Sequence, residues 1–147
     1  MQKTMATESL ASIPEIVTAT VAVLALIGAI WQVVVSRGAQ REATAAGLYG
    51  SYLALAVEYP KLAAAEFSIP QDYANFNEEF ERYEWFVSVM LNAFEQIIER
   101  TSGDDVWETT ILDQMRFHSR YLTHALFTRM HYSDAMQVLF ARVDGTK

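Results

Sequence analysis

Between Val17 and Val35 the sequence VTATVAVLALIGAIWQVVV runs nineteen residues without a charge, and this stretch limits the fold more than any other. Its polar side chains are Thr18, Thr20 and Gln32, and a helical threonine can return its hydroxyl to a carbonyl one turn back. At 1.5 Å per residue the stretch reaches about 28 Å, close to the hydrocarbon thickness of a bilayer. A soluble body built from the roughly 110 residues that follow has too little material to cover such a helix on every side. A cleaved secretion signal would carry a basic leading region, a shorter apolar core and a small-x-small cleavage site. Here Glu8 and Glu15 precede the core, which ends in WQVVVSRG. The segment therefore reads as a single-pass transmembrane helix over residues 13–37, behind a short tail at 1–12, with the lipid bilayer as its partner.

The flanks agree with a span. Ser12-Ile13-Pro14-Glu15 has a serine cap, a proline in the first turn and a glutamate three residues after the cap, which predicts a helix start there. Trp31 suits the interface, and Arg37 and Arg41 suit headgroup phosphates. Those two arginines outweigh Lys3 at the other end, so the short N-terminus is expected outside and the C-terminal domain in the cytoplasm. Within the span Thr18, Ala22, Ala25 and Ala29 recur on one face, to pack against another helix or simply to face lipid.

Residues 38–59, rich in alanine and leucine, predict a stalk helix continuing from the membrane. Ala43, Gly47, Gly50 and Ala54 lie three or four apart on one of its faces, which permits close helix approach, either to the domain that follows or to a partner chain. The Tyr59-Pro60 pair ends this helix. Over residues 60–147 the chain predicts a helical bundle packed with the stalk. Phe76, Phe80, Tyr83, Val87, Met90, Phe94 and Ile97 form one apolar stripe at helical spacing, with Asn75 and Glu78 as a capping box and Gly103 as a stop. A further helix opens at Asp104 or Asp105, with Trp107, Ile111, Met115, His118, Leu122 and Ala125 inward. A closing helix capped by Ser133 turns Met136, Leu139, Phe140 and Val143 in, and Gly145 ends it. No alternating strand pattern is present. The expected fold is all-α: a transmembrane helix continuing into a stalk, then a small antiparallel bundle of three or four helices.

Charge and residue types narrow the function. Eleven Lys/Arg against eighteen Asp/Glu give a net charge of −7, and from Gly38 onward nine basic residues face sixteen acidic ones, so the deficit belongs to the body outside the anchor. Nucleic acid and anionic lipid headgroups repel such a body. With no cysteine, thiol nucleophiles and cysteine-ligated metals are excluded. Serine nucleophile elbows, phosphate-cradling glycine loops and Glu-x-x-His pairs are missing too. The expectation is a chain without catalytic, cofactor-binding or metal-ligating residues and without a cofactor. His118, on an inward stripe, reads as a hydrogen-bonded core histidine; as a general base it would need Glu84 or Glu95 within reach. Tyr83, Trp85 and Phe86 cannot all point into one narrow core. Either the stalk or the closing helix covers Trp85 within the chain, which is the ordinary case, or Trp85 belongs with Tyr49 and Tyr52 to a surface that a partner protein covers, since Trp and Tyr present large area with a polar tip.

The helix break at Tyr59-Pro60, the aromatic run YEWFVSVMLNAFEQI and Trp107 after a short acidic turn resemble small uncharacterised bacterial single-pass membrane proteins with an N-terminal anchor and a helical domain. The resemblance spans most of the chain and implies an inner-membrane location; it carries no reaction. The resulting expectation is a non-enzymatic, membrane-anchored interaction protein, an accessory or assembly subunit of a larger membrane complex with other membrane subunits as partners. The alternative is a membrane-tethered sensor holding a small ligand near Met90, Phe94, Met115 and His118.

Overall fold

The computed structural model describes residues 5–66, 68–71 and 77–145, with side chains from residue 15 onward. Among the described residues the chain is all-helical, with α1 (Met5–Glu58), α2 (Pro60–Ala63), α3 (Glu78–Arg100), α4 (Asp105–Phe117), α5 (Ser119–Leu122) and α6 (Asp134–Asp144). A long apolar N-terminal helix is thus followed by shorter ones. The chain divides into two units, residues 1–40 and 41–147.

In the first unit every described side chain from residue 15 onward is exposed. None of the most apolar window of α1, a helix long and apolar enough to cross a membrane, is buried. Thr20 donates its hydroxyl to the Ile16 carbonyl at 2.8 Å, which removes an unpaired polar group from an otherwise apolar surface. The helix starts earlier than Ser12-Ile13-Pro14-Glu15 predicts, at Met5. The preceding Met5, Ala6, Glu8, Leu10 and Ala11 are good helix formers, so the chain runs helical through Pro14 although that proline donates no backbone hydrogen bond.

The second unit has its own core. Along α3 the predicted stripe Phe80, Tyr83, Val87, Met90, Phe94 and Ile97 is buried, joined by Phe86, Leu91 and Ile98. Facing it are Ile111, Leu112 and Met115 of α4, Tyr121 and Leu122 of α5, and Met136, Leu139, Phe140 and Val143 of α6. Each large apolar side chain so buried stabilises the fold by about 1.5–3 kcal/mol. From α1, Ala45 and Tyr52 enter the same core, with Leu48, Tyr49, Leu55 and Ala56 against it. Two polar ties hold this part of α1: the Trp107 indole donates to both Glu42 carboxylate oxygens at 3.1 and 3.2 Å, and Tyr52 Oη donates to Gln114 Oε1 at 3.0 Å.

The helix ends follow local chemistry. Tyr59, restricted by the proline after it, leaves helical geometry at φ −123°, ψ 66°, and α1 stops at Glu58. Gly103, at φ 85°, makes the turn between α3 and α4 that a side chain would strain. Asp104 caps α4 by accepting from the Val106 and Trp107 amides. Ser133 occupies the cap position of α6 without a side-chain cap bond, and its backbone amide donates to the Glu95 carboxylate of α3 at 2.5 Å.

The expected cap of α3 moves. Asn75, like Phe76, lies outside the described residues, and the cap is Asn77, whose side chain accepts from the Phe80 amide at 2.9 Å. Glu78, Glu79 and Glu81 then fall in the first turn, where the helix dipole favours negative charge. Asn77→Ala is expected to lower the stability of the helical body by about 1 kcal/mol, a fall in Tm of roughly 4–8 °C, measurable by thermal unfolding followed by circular dichroism. The inward stripe of the next helix also changes: α4 ends at Phe117, His118 is its cap residue, and Ala125, beyond α5, is exposed.

Candidate functional site

Leu55, Tyr59, Leu62, Trp85, Phe86 and Val89 line an open groove of about 1100 Å³ formed by the end of α1, α2 and the first half of α3. The Tyr59-Pro60 break creates it, because α1 stops there and the single turn of α2 diverts the chain. On α3, Phe86 is buried in the core side of the groove, whereas Trp85 and Val89, one turn apart, are 68% and 52% exposed. Both lie off the core stripe. Glu58, Lys61, Glu78, Glu79 and Arg82 rim the apolar surface. Arg82 is held by Glu78 at 2.7 Å, an exposed pair that contributes about 0–1 kcal/mol. A hydrogen bond to Glu58 raises the Tyr59 hydroxyl above its ordinary pKa. The arrangement offers an open, largely apolar surface that includes the Trp85 indole and has charged side chains at its rim.

The buried polar groups lie elsewhere. Tyr83 Oη and His118 Nδ1 are 3.0 Å apart, both inside the core. Burial lowers the His118 pKa to about 4 and raises that of Tyr83, so the pair is neutral near pH 7. His118 Nε2 is buried without a hydrogen-bond partner among the described residues. The two carboxylates that His118 would need as a general base are engaged away from it: Glu84 accepts from Tyr121 Oη at 2.8 Å, and Glu95 from the Ser133 amide. His118 does not line the groove, and neither do Met90, Phe94 and Met115, which are fully buried. Arg116 pairs with Asp113 of its own helix at 2.7 Å.

This geometry gives the domain an acid-sensitive core. The unfolded chain protonates His118 near pH 6.5, and the folded one only near 4, so the stabilisation from the neutral buried ring is present above pH 6.5 and is lost as pH falls toward 4. Stability is expected to drop by roughly 2–3 kcal/mol from this group between pH 7 and pH 4.5. Denaturant unfolding at both values, with His118→Gln giving a shallower fall, measures it; equal slopes would remove His118 as the cause.

The residues singled out from the sequence separate in the structure. Trp31, Arg37 and Arg41 are exposed on α1, as are Thr18, Ala22, Ala25 and Ala29. Trp85 is exposed and lines the groove, so neither the stalk nor the closing helix covers it. Tyr52, expected at a partner surface, is instead buried at 3% exposure, with its ring 5.0 Å from Phe94, and burial pushes its pKa up to about 12. Tyr49 is half-buried beside Trp107, their ring centroids 5.7 Å apart. Both tyrosines turn inward because they share the face of Ala45, Leu48 and Ala56, which packs on the core. Ala43, Gly47, Gly50 and Ala54 lie on the opposite face and are exposed, and a Cβ added at either glycine would meet nothing within 4 Å. The intramolecular reading of that small-residue face is therefore incorrect. Tyr59, Leu55 and Val89 were not anticipated at a site; the signal was the pair Trp85 and Val89, two large apolar residues one turn apart and outside the core stripe. Comparison with known proteins returns no matching protein family, curated protein or solved structure.

Proposed function

We propose that the chain is a non-enzymatic, membrane-anchored interaction protein, an accessory or assembly subunit of a larger complex in a bacterial inner membrane. In this reading residues 13–37 cross the bilayer and the helical body lies on the cytoplasmic side. The observation that carries it is the groove: a body with a complete core of its own leaves Trp85, Val89 and Tyr59 in contact with solvent, and a clustered exposed apolar surface of this kind marks a place where another molecule docks. The wholly unburied apolar window of α1 supports the anchor, since lipid or another helix must cover it. The burial of His118 in a bonded pair with Tyr83 supports a structural role for the histidine.

Purification of the tagged full-length protein in mild detergent, with the co-purifying chains identified, tests the proposal. Stoichiometric recovery of one or more membrane proteins is expected, lost on Trp85→Ala with Val89→Ala. Recovery as a lone monomer would overturn the subunit role.

A further inference from the structure

We propose that the groove receives a cationic amphipathic helix of a partner polypeptide, with its apolar face on Trp85 and Val89 and its Lys or Arg side chains over the rim carboxylates of Glu58 and Glu79. This rests on the reading of the chain as an interaction protein and names the class of its partner segment.

Size, polarity and charge point the same way. A helix is about 10 Å across and rises 1.5 Å per residue, so a groove of about 1100 Å³ accommodates two to three turns. Its floor is aromatic and aliphatic, which suits the apolar stripe of a helix laid into it. Among the lining charges Arg82 is paired with Glu78, leaving Glu58 and Glu79 opposite Lys61. Glu81, one turn before Trp85 on the same side of α3, is exposed and adds a further carboxylate. From Gly38 onward, groove included, the chain holds nine Lys/Arg against sixteen Asp/Glu, so its field attracts a cationic segment and speeds its encounter. The same field works against a second copy of this chain, which brings the same net −7, and against an anionic lipid surface. The exposed indole of Trp85 adds a ring face on which a guanidinium or ammonium can rest.

The chain contains no cysteine, so one introduced thiol reports one position. Full-length Val89→Cys, in phosphatidylcholine nanodiscs, is treated with an amphipathic leucine–lysine peptide carrying a pyridyl-disulfide-activated cysteine on its apolar face. A leucine–glutamate peptide of the same length is the control. Val138→Cys, on α6 and 59% exposed, is the reference site. The lysine peptide is expected to couple at Val89→Cys about tenfold or more faster than at Val138→Cys and than the glutamate peptide couples at Val89→Cys, and Trp85→Ala should remove about tenfold of that advantage. Trp85 is exposed, so this variant keeps the core intact; unchanged thermal unfolding verifies that. Glu58→Lys with Glu79→Lys should cut the preference between the two peptides. Equal coupling at the two cysteines, or faster coupling of the glutamate peptide, overturns the cationic helix even where a natural partner co-purifies. A clear lysine preference in a protein recovered alone from cells supports the groove's specificity while overturning the subunit role.

Discussion

Phe94→Ala is expected to lower the stability of the helical body by about 3–5 kcal/mol, out of the roughly 5–15 kcal/mol that a domain commonly has. The ring is fully buried and sits where α1 meets α3, with centroid distances of 5.0 Å to Tyr52 and 6.5 Å to Tyr49. Its removal deletes two aromatic contacts, worth about 0.5–1.5 kcal/mol each beyond their area, and leaves a cavity that fixed helix axes cannot close. The expected fall in Tm is roughly 15 °C or more. Near-ultraviolet circular dichroism during a thermal scan measures it, with Val138→Ala, at an exposed site on α6, expected to stay within about 0.5 kcal/mol of the parent. A fall of under about 1 kcal/mol for Phe94→Ala would mean that α1 does not belong to the core.

The second large effect concerns the anchor. From Val17 to Val35 the chain has ten Val, Leu and Ile residues, which on an insertion scale favour the membrane by about 0.3–0.6 kcal/mol each near the helix centre, or roughly 3–6 kcal/mol together. An arginine at the centre opposes insertion by about 2.5–3.5 kcal/mol. Val23→Arg with Leu26→Arg therefore cancels the whole driving force, and the membrane-bound fraction is expected to fall from nearly all of the protein to a minor part. Val106→Arg with Val138→Arg, both at exposed sites of the second unit, adds the same charge and should leave the distribution unchanged. Fractionation followed by immunoblotting compares the two pairs.

Particular residues show how far the sequence can be read. The stripe from Phe80 to Ile97 and the set Met136, Leu139, Phe140 and Val143 are buried as their spacing implies, because charged residues near both ends of α3 and of α6 mark the faces that must stay in water. Residues 43–57 contain no charge at all, so periodicity gives no polar face to set against an apolar one. The choice of Ala45, Tyr49 and Tyr52 as the inward side depends on bonds to Gln114 and on the Trp107 tie at Glu42, which are remote in the sequence. The cap of α3 was ambiguous for a simpler reason: Asn75 and Asn77 both precede acidic residues, and either side chain suits a helix start. The groove was legible in its parts, Pro60 and the off-stripe Trp85, but its form depends on bringing the end of α1 beside α3.

Alkaline carbonate extraction of membranes containing the intact chain tests most directly whether an apolar helix holds a docking body at a membrane. The protein is expected to stay in the membrane pellet at its full mass of 16.6 kDa and to be released only by detergent. A chain found in the supernatant, either at full mass or shortened by loss of its first apolar segment, would contradict it.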